Sequence, residues 1–456
     1  MIRRGLARSI HRFSAAGTLL AILMLAACTE ILEEDKIWPQ WRGPDRNGVS
    51  DETGIPLQWS ENENILWRLA LEGKGHSSPV VWNDRIFLTT DIEGDIIPEA
   101  KEPVHIRAGE PYKHPATLSA DRRHTLKVIA VDAFRGEIAW TRTVHDGSVF
   151  DNRHRMNTYA TPTATADGQR VYTYFGSQGV FAFDFEGELV WKVDFGDIAT
   201  WGHGHGTSPV LFDNLLILQI DQNEGDGSFL IALDSASGEE VWRTARKERI
   251  NYSSPILVGS GDRTSIITSS YHNVIAYSAA DGKEIWRTPG FLGNAVPTPV
   301  ASATMVYAVS GYPDKLVRAI PIPSDPANGV IVEAAWEYAK GTGYTPSPLL
   351  YGDYVYLVSD KGLLTCLAAD SGQVVYEGKR IPTATNVHAS PVAWDDKILL
   401  SGLDGDFFVV QAGPEHKILG QSSIGERVIA SPALAGGRLY LRSEEALYAI
   451  GKSWKP

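Results

Sequence analysis

Short runs rich in aromatic and β-branched residues alternate with turn residues along most of the chain. Two of them are RVYTYFG at 170–176 and YVYLVSD at 354–360, and this composition favours strands. A proline after small residues opens each unit, mostly 41 to 49 residues after the previous one. These prolines are Pro79, Pro162, Pro209, Pro255, Pro299, Pro348, Pro391 and Pro432. Eight such units, each with room for four short strands, predict a β-propeller.

An eleven-residue element recurs within these units, as AVDAFRGEIAW at 130–140, ALDSASGEEVW at 232–242 and AYSAADGKEIW at 276–286. Its Asp and Gly suit a tight turn, and its flat indole suits the space between neighbouring sheets. We therefore expect the Trp residues at this place to dock between blades rather than to act in catalysis. They are Trp140, Trp191, Trp242, Trp286 and Trp336. Tyr376 takes this place in blade six, and blade seven has lost the motif.

These A-x-D-x-x-x-G-x-x-x-W elements make the chain similar to the pyrroloquinoline-quinone (PQQ)-like repeat family over about residues 65–450. WPQWRGPDRNGVS further resembles its BamB-like outer-membrane lipoprotein subgroup. The resemblance implies an all-β fold, an eight-bladed β-propeller with four-stranded antiparallel blades. The last unit ends at LYAIG without a Trp strand. We expect ILWRLAL at 65–71 to supply that strand and so to close the ring.

The N-terminus has the pattern of an export signal. Four arginines precede a short apolar stretch that ends in Leu-Ala-Ala-Cys, which resembles a bacterial lipobox. We expect residues 1–27 to be a lipoprotein signal peptide and Cys28 to carry the lipid. Thr29 follows Cys28, which favours outer-membrane anchoring. Residues 28–64 would be a tether and N-terminal extension, and residues 65–456 the propeller.

The charge of the chain excludes one class of partner. The net charge is −13, and the arginine-rich leader makes the mature chain still more acidic, so we expect no nucleic-acid partner. Cys366 has no intramolecular partner if Cys28 is lipidated. The fold must then rely on its apolar core without disulfides. We expect a monomer.

The longest gap in the repeat spacing places an insertion in blade one. Residues 91–124 have few strand runs and contain His105, His114 and His124. Long loops inside compact folds are commonly functional or mobile, but loops also tolerate drift, so a solvated loop without a role stays open. A smaller insertion at 321–329 interrupts blade five.

Polar residues collect just before the first strand of each blade, at one mouth of the central channel. The candidate ligand-binding residues of this funnel are His76, Asn157, Tyr159, His203, His205, Asn251, Tyr252 and His388. Asn294, Tyr344, Asn386, His154 and Arg155 lie in corresponding or adjacent positions. Convergent polar groups in a concave site suit a ligand or peptide. A purely structural turn at the start of each repeat explains the pattern equally. No carboxylate is paired with these histidines in the same motifs, so we expect no metal site.

The family resemblance makes a quinoprotein dehydrogenase one possible function. Such enzymes have a similar propeller and carry an adjacent Cys-Cys disulfide, a Trp platform and a calcium-type ion at the cofactor. This sequence has no adjacent cysteines and no C-x-x-C-H for haem. No G-x-S-x-G element indicates a nucleophilic hydrolase either. We therefore predict no catalytic residue and no cofactor, with PQQ and calcium both disfavoured.

The sequence thus favours a non-enzymatic propeller lipoprotein that faces the periplasm and serves as a protein-binding scaffold. The BamB-like resemblance implies a role in outer-membrane protein assembly, with other envelope proteins as partners and the membrane bound through Cys28. The alternative is a quinoprotein-like enzyme or a small-ligand-binding protein that uses the polar funnel.

Overall fold

Residues 36–324 and 329–452, which the computed structural model describes, form eight blades in the order of the repeats. Each blade has four antiparallel strands, and the sheets of blades one, four and seven gain a fifth. Blades one and two comprise Val80–Trp82, Arg85–Ile96, Arg122–Asp132 and Ile138–Gly147, then Thr165–Ala166, Arg170–Tyr174, Val180–Asp184 and Leu189–Val193. Blades three and four comprise Val210–Phe212, Leu215–Ile220, Phe229–Asp234 and Glu240–Ala245, then Ile256–Val258, Ser265–Ser269, Asn273–Ser278 and Glu284–Pro289. These described parts contain no α-helix, only the 3₁₀ turns Gly176–Gln178 and Gly261–Arg263.

The second half of the ring repeats this arrangement. Blades five and six comprise Val300–Ala301, Met305–Ser310, Leu316–Pro321 and Trp336–Tyr338, then Leu349–Tyr351, Tyr354–Val358, Leu363–Ala368 and Val374–Arg380. Blades seven and eight comprise Val392–Trp394, Lys397–Ser401, Asp406–Gln411 and Ile418–Ser423, then Ala433–Ala435, Arg438–Arg442, Ala446–Ile450 and Ile65–Ala70. The predicted eight-bladed propeller is confirmed.

The ring closes through a strand from the N-terminal side of the chain. Ile65–Ala70 pairs antiparallel with Ala446–Ile450 and forms the outer strand of blade eight. Its Trp67 then contacts the first blade, because the Nε1 of Trp67 donates to Ala133 O at 3.2 Å. The predicted closing strand is therefore confirmed, and it removes the exposed edge that an open ring would leave.

The Gly and the Trp of one repeat element contact different neighbours. Gly187 of blade two has a φ of +85°, and a Cβ there would come within 2.7 Å of the Trp140 ring of blade one. Only a glycine fits this close approach without strain. The same contact joins Trp67 to Gly136, Trp191 to Gly238, Trp242 to Gly282 and Trp336 to Gly372. These five outer-strand Trp residues thus dock on the turn of the following blade.

The docking indoles differ in burial. Trp286 is fully buried, and Trp140 and Trp191 are nearly so, whereas Trp242 and Trp336 are only partly buried. Trp140 and Trp191 donate their Nε1 protons to carbonyls of the next blade at 2.8 and 3.0 Å. The Nε1 of Trp242 has no hydrogen-bond partner among the described residues. Trp242 therefore stabilises its interface less than its motif suggests.

A row of hydroxyl groups joins the inner ends of the blades from blade one to blade eight. The backbone N of Ser78 donates to Thr163 Oγ1 at 2.9 Å, and the same bond passes from blade to blade. The residues that continue it are Thr163, Ser208, Ser254, Thr298, Ser347, Ser390 and Ser431. In the other blades a proline directly follows this hydroxyl residue, whereas in blade two Ala164 follows Thr163. Pro162 therefore lies two positions before the place that the proline takes in the other blades.

The N-terminal extension fills the central channel. Ile37–Trp38 pairs with the inner strand of blade one, and Val49–Ser50 pairs in parallel with that of blade seven. We call residues 37–50 the channel segment. Its other bonds reach blades two, three, five and six, from Pro39 O to Ala166 N, Arg46 to Leu211 O, Trp41 to Thr298 and Arg42 to Pro348 O. The repeat pattern does not indicate this role.

The segment directly after the insertion in blade five adds a strand to the blade before it. Val330–Ile331 pairs in parallel with Glu284–Pro289, the outer strand of blade four. This pairing covers the edge beside Trp286 and accounts for the nearly complete burial of that indole. The outer edge of a blade in this protein can therefore accept an additional extended segment.

Candidate functional site

The insertion of blade one folds onto the rim of the funnel. Its first and last residues lengthen the two middle strands of blade one, and a hairpin of His105–Arg107 and Glu110–Tyr112 lies between them. Thr117–Leu118 then pairs with Arg153–His154, which follows blade one. Trp201 fixes the tip of the hairpin, because its Nε1 donates to Ile106 O at 3.1 Å. The insertion is thus an ordered part of the rim.

Two buried histidine–aspartate pairs anchor the insertion to the propeller. His105 Nε2 lies 2.8 Å from Asp151 Oδ1, and His124 Nδ1 lies 2.7 Å from Asp91 Oδ1. All four side chains are almost completely buried. A buried carboxylate is stable only when it is paired and hydrogen-bonded, so these contacts hold the insertion in one position.

Asp151 is the centre of this anchorage. Its Oδ2 accepts bonds from the backbone N and the Oγ1 of Thr200, each at 2.6 Å. Its backbone oxygen accepts the hydroxyl of Tyr159 at 2.5 Å. Tyr159, expected in the open funnel, is buried against His124 instead, with ring centroids 4.6 Å apart. Burial raises its pKa, so it remains a phenol.

Three histidine rings meet where the insertion contacts the funnel. The ring centroid of His114 lies 5.5 Å from that of His154 and 5.1 Å from that of His203, and those two are 6.2 Å apart. Backbone bonds hold the three segments together, since His154 N donates to His203 O and Arg155 N to Ala116 O. This geometry assigns the first histidine of GHGHG to a site that the insertion completes.

The glycines of GHGHG give this loop its shape. Gly202 and Gly204 have φ values of +70° and +80°, which favour glycine. A Cβ on Gly204 would come within 2.9 Å of Asn157 Nδ2. That amide in turn donates to His203 O at 2.8 Å and to His205 O at 3.2 Å. Asn157 therefore positions both histidines of the loop through its side chain.

The protonation of these rings follows from their surroundings. Burial, and the charges of His114 and His154, lower the pKa of His203 to about 4. Burial alone lowers the pKa of His205 to about 4. Burial, His114 and Arg155 lower the pKa of His154. His154, His203 and His205 are thus neutral near pH 7, and each acts as one donor and one acceptor.

The other predicted funnel residues lie in separate places, except that His205 and Asn251 line one small cavity. Asn251 is buried and donates to Asp221, which also pairs with Arg246 at 2.9 Å. Tyr252 does join the histidines, because its hydroxyl lies 2.8 Å from His203 Nδ1. His76 lies beside Glu444 and His388 beside Thr345, nearer blades seven and eight.

Arginines and aromatic rings alternate next to the histidines. The guanidinium of Arg107 lies 5.0 Å from the ring centre of Tyr112 and 5.1 Å from that of Trp201. Arg249 lies on Trp201 and on Tyr271 at 5.0 and 4.8 Å. Cation–π contacts of this kind fix the orientation of an arginine without neutralising it.

No cluster of three or more His, Cys, Asp or Glu residues in the described parts of the chain has a geometry that would hold a metal ion. Within the same residues, no helix is long and apolar enough to cross a membrane.

Comparison with known proteins identifies the family. The sequence profile of the family described as "Outer membrane protein assembly factor BamB" matches residues 57–193, 124–250 and 225–453. The chain belongs to this family. Over 152 residues it is 26% identical to the BamB of Burkholderia pseudomallei (strain K96243), which covers 33% of this chain and 38% of that protein.

Two solved structures share the fold of this BamB-family chain. BamB from Moraxella catarrhalis aligns with a TM-score of 0.50 and 16% identity, over 80% of this chain and 99% of that one. The computationally designed protein Ika8 aligns with a TM-score of 0.52 and 9% identity, over 74% of this chain and 94% of that one. At these identities both show the propeller fold alone.

The residues present in this BamB-family chain do not fit a PQQ cofactor. Cys366 is fully buried within blade six, so it offers no disulfide surface to a flat quinone. The docking indoles lie on glycines of neighbouring blades, and the channel segment fills the axis of the ring. A flat, negatively charged quinone needs stacking surfaces and cationic partners in one cavity.

We expect no saturable binding of PQQ by the purified protein, with or without calcium. Absorbance titration with the quinone checks this, together with dye-linked alcohol oxidation. A bovine serum albumin titration would measure non-specific adsorption of the quinone. Saturable binding in the micromolar range, or alcohol-dependent dye reduction, would show that the fit argument is wrong.

Sequence reasoning missed the partners of the histidines. Asp151 and Asp91 stand in stretches without a recognisable motif, although each binds a histidine of the insertion. Trp201, directly before GHGHG, has no counterpart in the repeat element, and that departure was the available signal. Arg107 and Tyr112 lie in the insertion, where no local pattern indicates what their side chains contact.

Proposed function

We propose that this protein is a lipid-anchored, periplasm-facing scaffold that binds other envelope proteins during outer-membrane protein assembly. The match of the BamB family profile, which extends over residues 57–453, is the observation that carries the proposal. Catalysis is not part of it. A quinoprotein role would need a cofactor cavity that the channel segment and the docking indoles do not leave.

The shape of the propeller supports a scaffold role. The channel segment bonds to blades on several sides of the ring and so links them across the axis. Apolar residues remain exposed on outer strands, with Ile138, Leu189 and Val241 each at least half exposed. Scattered exposed apolar residues beside open strand edges suit contacts with another protein.

The test is capture of partners from native membranes. Full-length tagged protein is cross-linked in its own cells, purified in detergent and analysed by mass spectrometry. We expect enrichment of outer-membrane assembly proteins relative to a tagged, unrelated lipoprotein of the same membrane. Recovery of the same proteins with both baits would contradict a specific scaffold role.

Anchoring through Cys28 lies outside the described residues and stays a prediction. Cys28→Ser should move the protein from the membrane fraction to the soluble periplasmic fraction, because lipid chains hold it by burying many methylene groups. Fractionation and immunoblotting measure the change, and Cys366→Ser is the matched control. Retention of the Cys28→Ser variant on the membrane, with unchanged gel mobility, would contradict lipidation at this position.

A further inference from the structure

We propose that Arg107, His114, His154, Arg155 and His203, which we call the rim cluster, bind the oxyanion of a small solute, either a carboxylate or a phosphate. The rim cluster joins the insertion, the segment after blade one and the GHGHG loop. This inference goes beyond the proposed scaffold role and does not depend on it.

The hydrogen bonds of the histidines make them donors toward the rim. His114 Nδ1 accepts from Ala116 N, and His154 Nδ1 accepts from Met156 N, each at 3.1 Å. A backbone N–H can only donate, so Nδ1 of each ring accepts and the ring proton lies on Nε2. Two N–H groups are therefore free of these bonds and can donate to an acceptor oxygen.

This arrangement favours an anion over a metal ion. A metal bound at Nε2 requires that atom to be unprotonated, which the bonds at Nδ1 oppose. The absence of a metal-compatible cluster among the described residues agrees with the tautomers. For His203, Tyr252 is the partner at Nδ1, and its hydroxyl can also donate to that nitrogen.

The two arginines carry charge that nothing nearby neutralises. Arg107 and Arg155 are both exposed, and neither makes an ion pair within the described residues 36–324 and 329–452. Their charges nevertheless act on the site, because Arg155 lowers the pKa of His154 and Arg107 contributes to the low pKa of His203. Arginine binds carboxylate and phosphate through paired N–H groups.

The carboxylates near the rim cluster are already engaged. Asp151 holds Thr200 and His105, Glu93 pairs with Arg153 at 2.5 Å, and Glu224 pairs with Arg249 at 2.9 Å. In a protein with a net charge of −13, a group of cations and donors without a free carboxylate is a local exception. An external anion would satisfy it.

The histidines give the site a pH dependence. The charged or titratable groups around the three rings are Arg107, Tyr112 and Lys113 of the insertion, Asp151, Arg153 and Arg155, His205, Glu224, Arg249 and Tyr252. Of the three rings, His203 can take up a second proton, because the Tyr252 hydroxyl at its Nδ1 can turn to accept. A bound anion favours protonated His203 and so raises its pKa, which burial and the neighbouring histidines lower to about 4 in the free protein. By linkage, affinity must then increase as the pH falls.

Isothermal titration calorimetry of the full-length protein in detergent tests the proposal, with succinate, inorganic phosphate and sulfate as probes and chloride as the background salt. We expect saturable binding of succinate or phosphate, and the tighter of the two assigns carboxylate or phosphate. Sulfate, whose own charge is constant, should bind more tightly at about pH 5 than at about pH 7.5, because the pKa of His203 in the free protein is about 4.

Arg155→Gln should weaken binding about tenfold or more, because it removes a charged paired donor. Arg155→Lys should retain part of the affinity. Arg135→Gln is the matched control, since Arg135 is likewise an exposed arginine but lies at the motif turn of blade one, at the opposite end of the strand Arg122–Asp132 from the insertion. Absence of saturable heat with all three probes, or equal losses for Arg155→Gln and Arg135→Gln, would overturn the proposal.

Discussion

Replacement of Arg246 by methionine should destabilise the protein by about 3–5 kcal/mol at pH 7.5, because it leaves the Asp221 carboxylate buried without its partner. Both side chains are almost completely buried, and Arg246 Nε lies 2.9 Å from Asp221 Oδ1. The other guanidinium nitrogens donate to Thr268, Ser270 and Tyr277 at 2.9 to 3.0 Å. Every N–H group of the Arg246 guanidinium thus has a hydrogen-bond acceptor in this interior.

The loss of stability caused by Arg246→Met should become smaller as the pH falls towards 5. Burial raises the pKa of Asp221 even beside Arg246, and without that charge the pKa rises further. A carboxyl whose folded pKa lies above its unfolded value loses stability as the pH rises through the folded pKa. The free energy of unfolding of Arg246→Met should therefore approach that of the natural protein in the pH range where Asp221 becomes protonated.

Equilibrium unfolding in urea at several pH values measures this difference. Arg243→Met is the matched control, because Arg243 lies three residues before Arg246, on the strand Glu240–Ala245, but is exposed, with Glu240 at 2.7 Å. Its surface ion pair should contribute no more than about 1 kcal/mol. Adding Asp221→Asn to Arg246→Met should restore much of the loss. A deficit that grows at low pH would contradict the proposed cause.

The blades could be predicted from the sequence because their determinants are local and repeated. Strand residues, the turn glycine and the outer-strand indole recur at fixed spacing, so each copy supports the others. The burial of an individual indole is not local. Trp286 is covered by Val330–Ile331, directly after the next blade's insertion, whereas Trp242 has no such cover.

The site could be predicted only in part. The histidines of the funnel and of the insertion stood out by residue type, and His114, His154 and His203 do meet. Their partners depend on tertiary contacts, such as that of Asp151 with His105. Tyr159 and Asn251 follow the same sequence pattern, but their side chains turn into buried networks.

The channel segment was not predictable for a similar reason. WPQWRGPDRNGVS has no strand alternation, and its pairing with blade seven joins Val49 to Ala393, far along the chain. Arg42 and Arg46 adopt φ values of +62° and +59°, which propensity alone would not assign to arginine. These turns form because the surrounding ring supplies the bonds, including the one from Arg42 to Pro348 O at 2.8 Å.

Trp38→Ala should test that segment with a loss of about 3–5 kcal/mol in the free energy of unfolding, as for other fully buried indoles. Trp38 is 1% exposed and packs in one cluster with residues of blades one, seven and eight, among them Val81, Trp394 and Leu434. Its ring also lies against Gly43, where a Cβ would come within 2.8 Å. The substitution therefore opens a cavity at the point where the segment joins the ring.

Trp242→Ala is the matched control, because this indole is only partly buried and its Nε1 has no partner to lose among the described residues. It should cost less than Trp38→Ala. Limited proteolysis separates the two roles, since a loosened channel segment becomes accessible to protease within residues 36–60, whereas a weakened interface between blades three and four does not expose it. Mass spectrometry of the fragments locates the cuts. Equal losses for both variants, with the N-terminal segment still protected in Trp38→Ala, would show that this indole does not hold the segment in the channel.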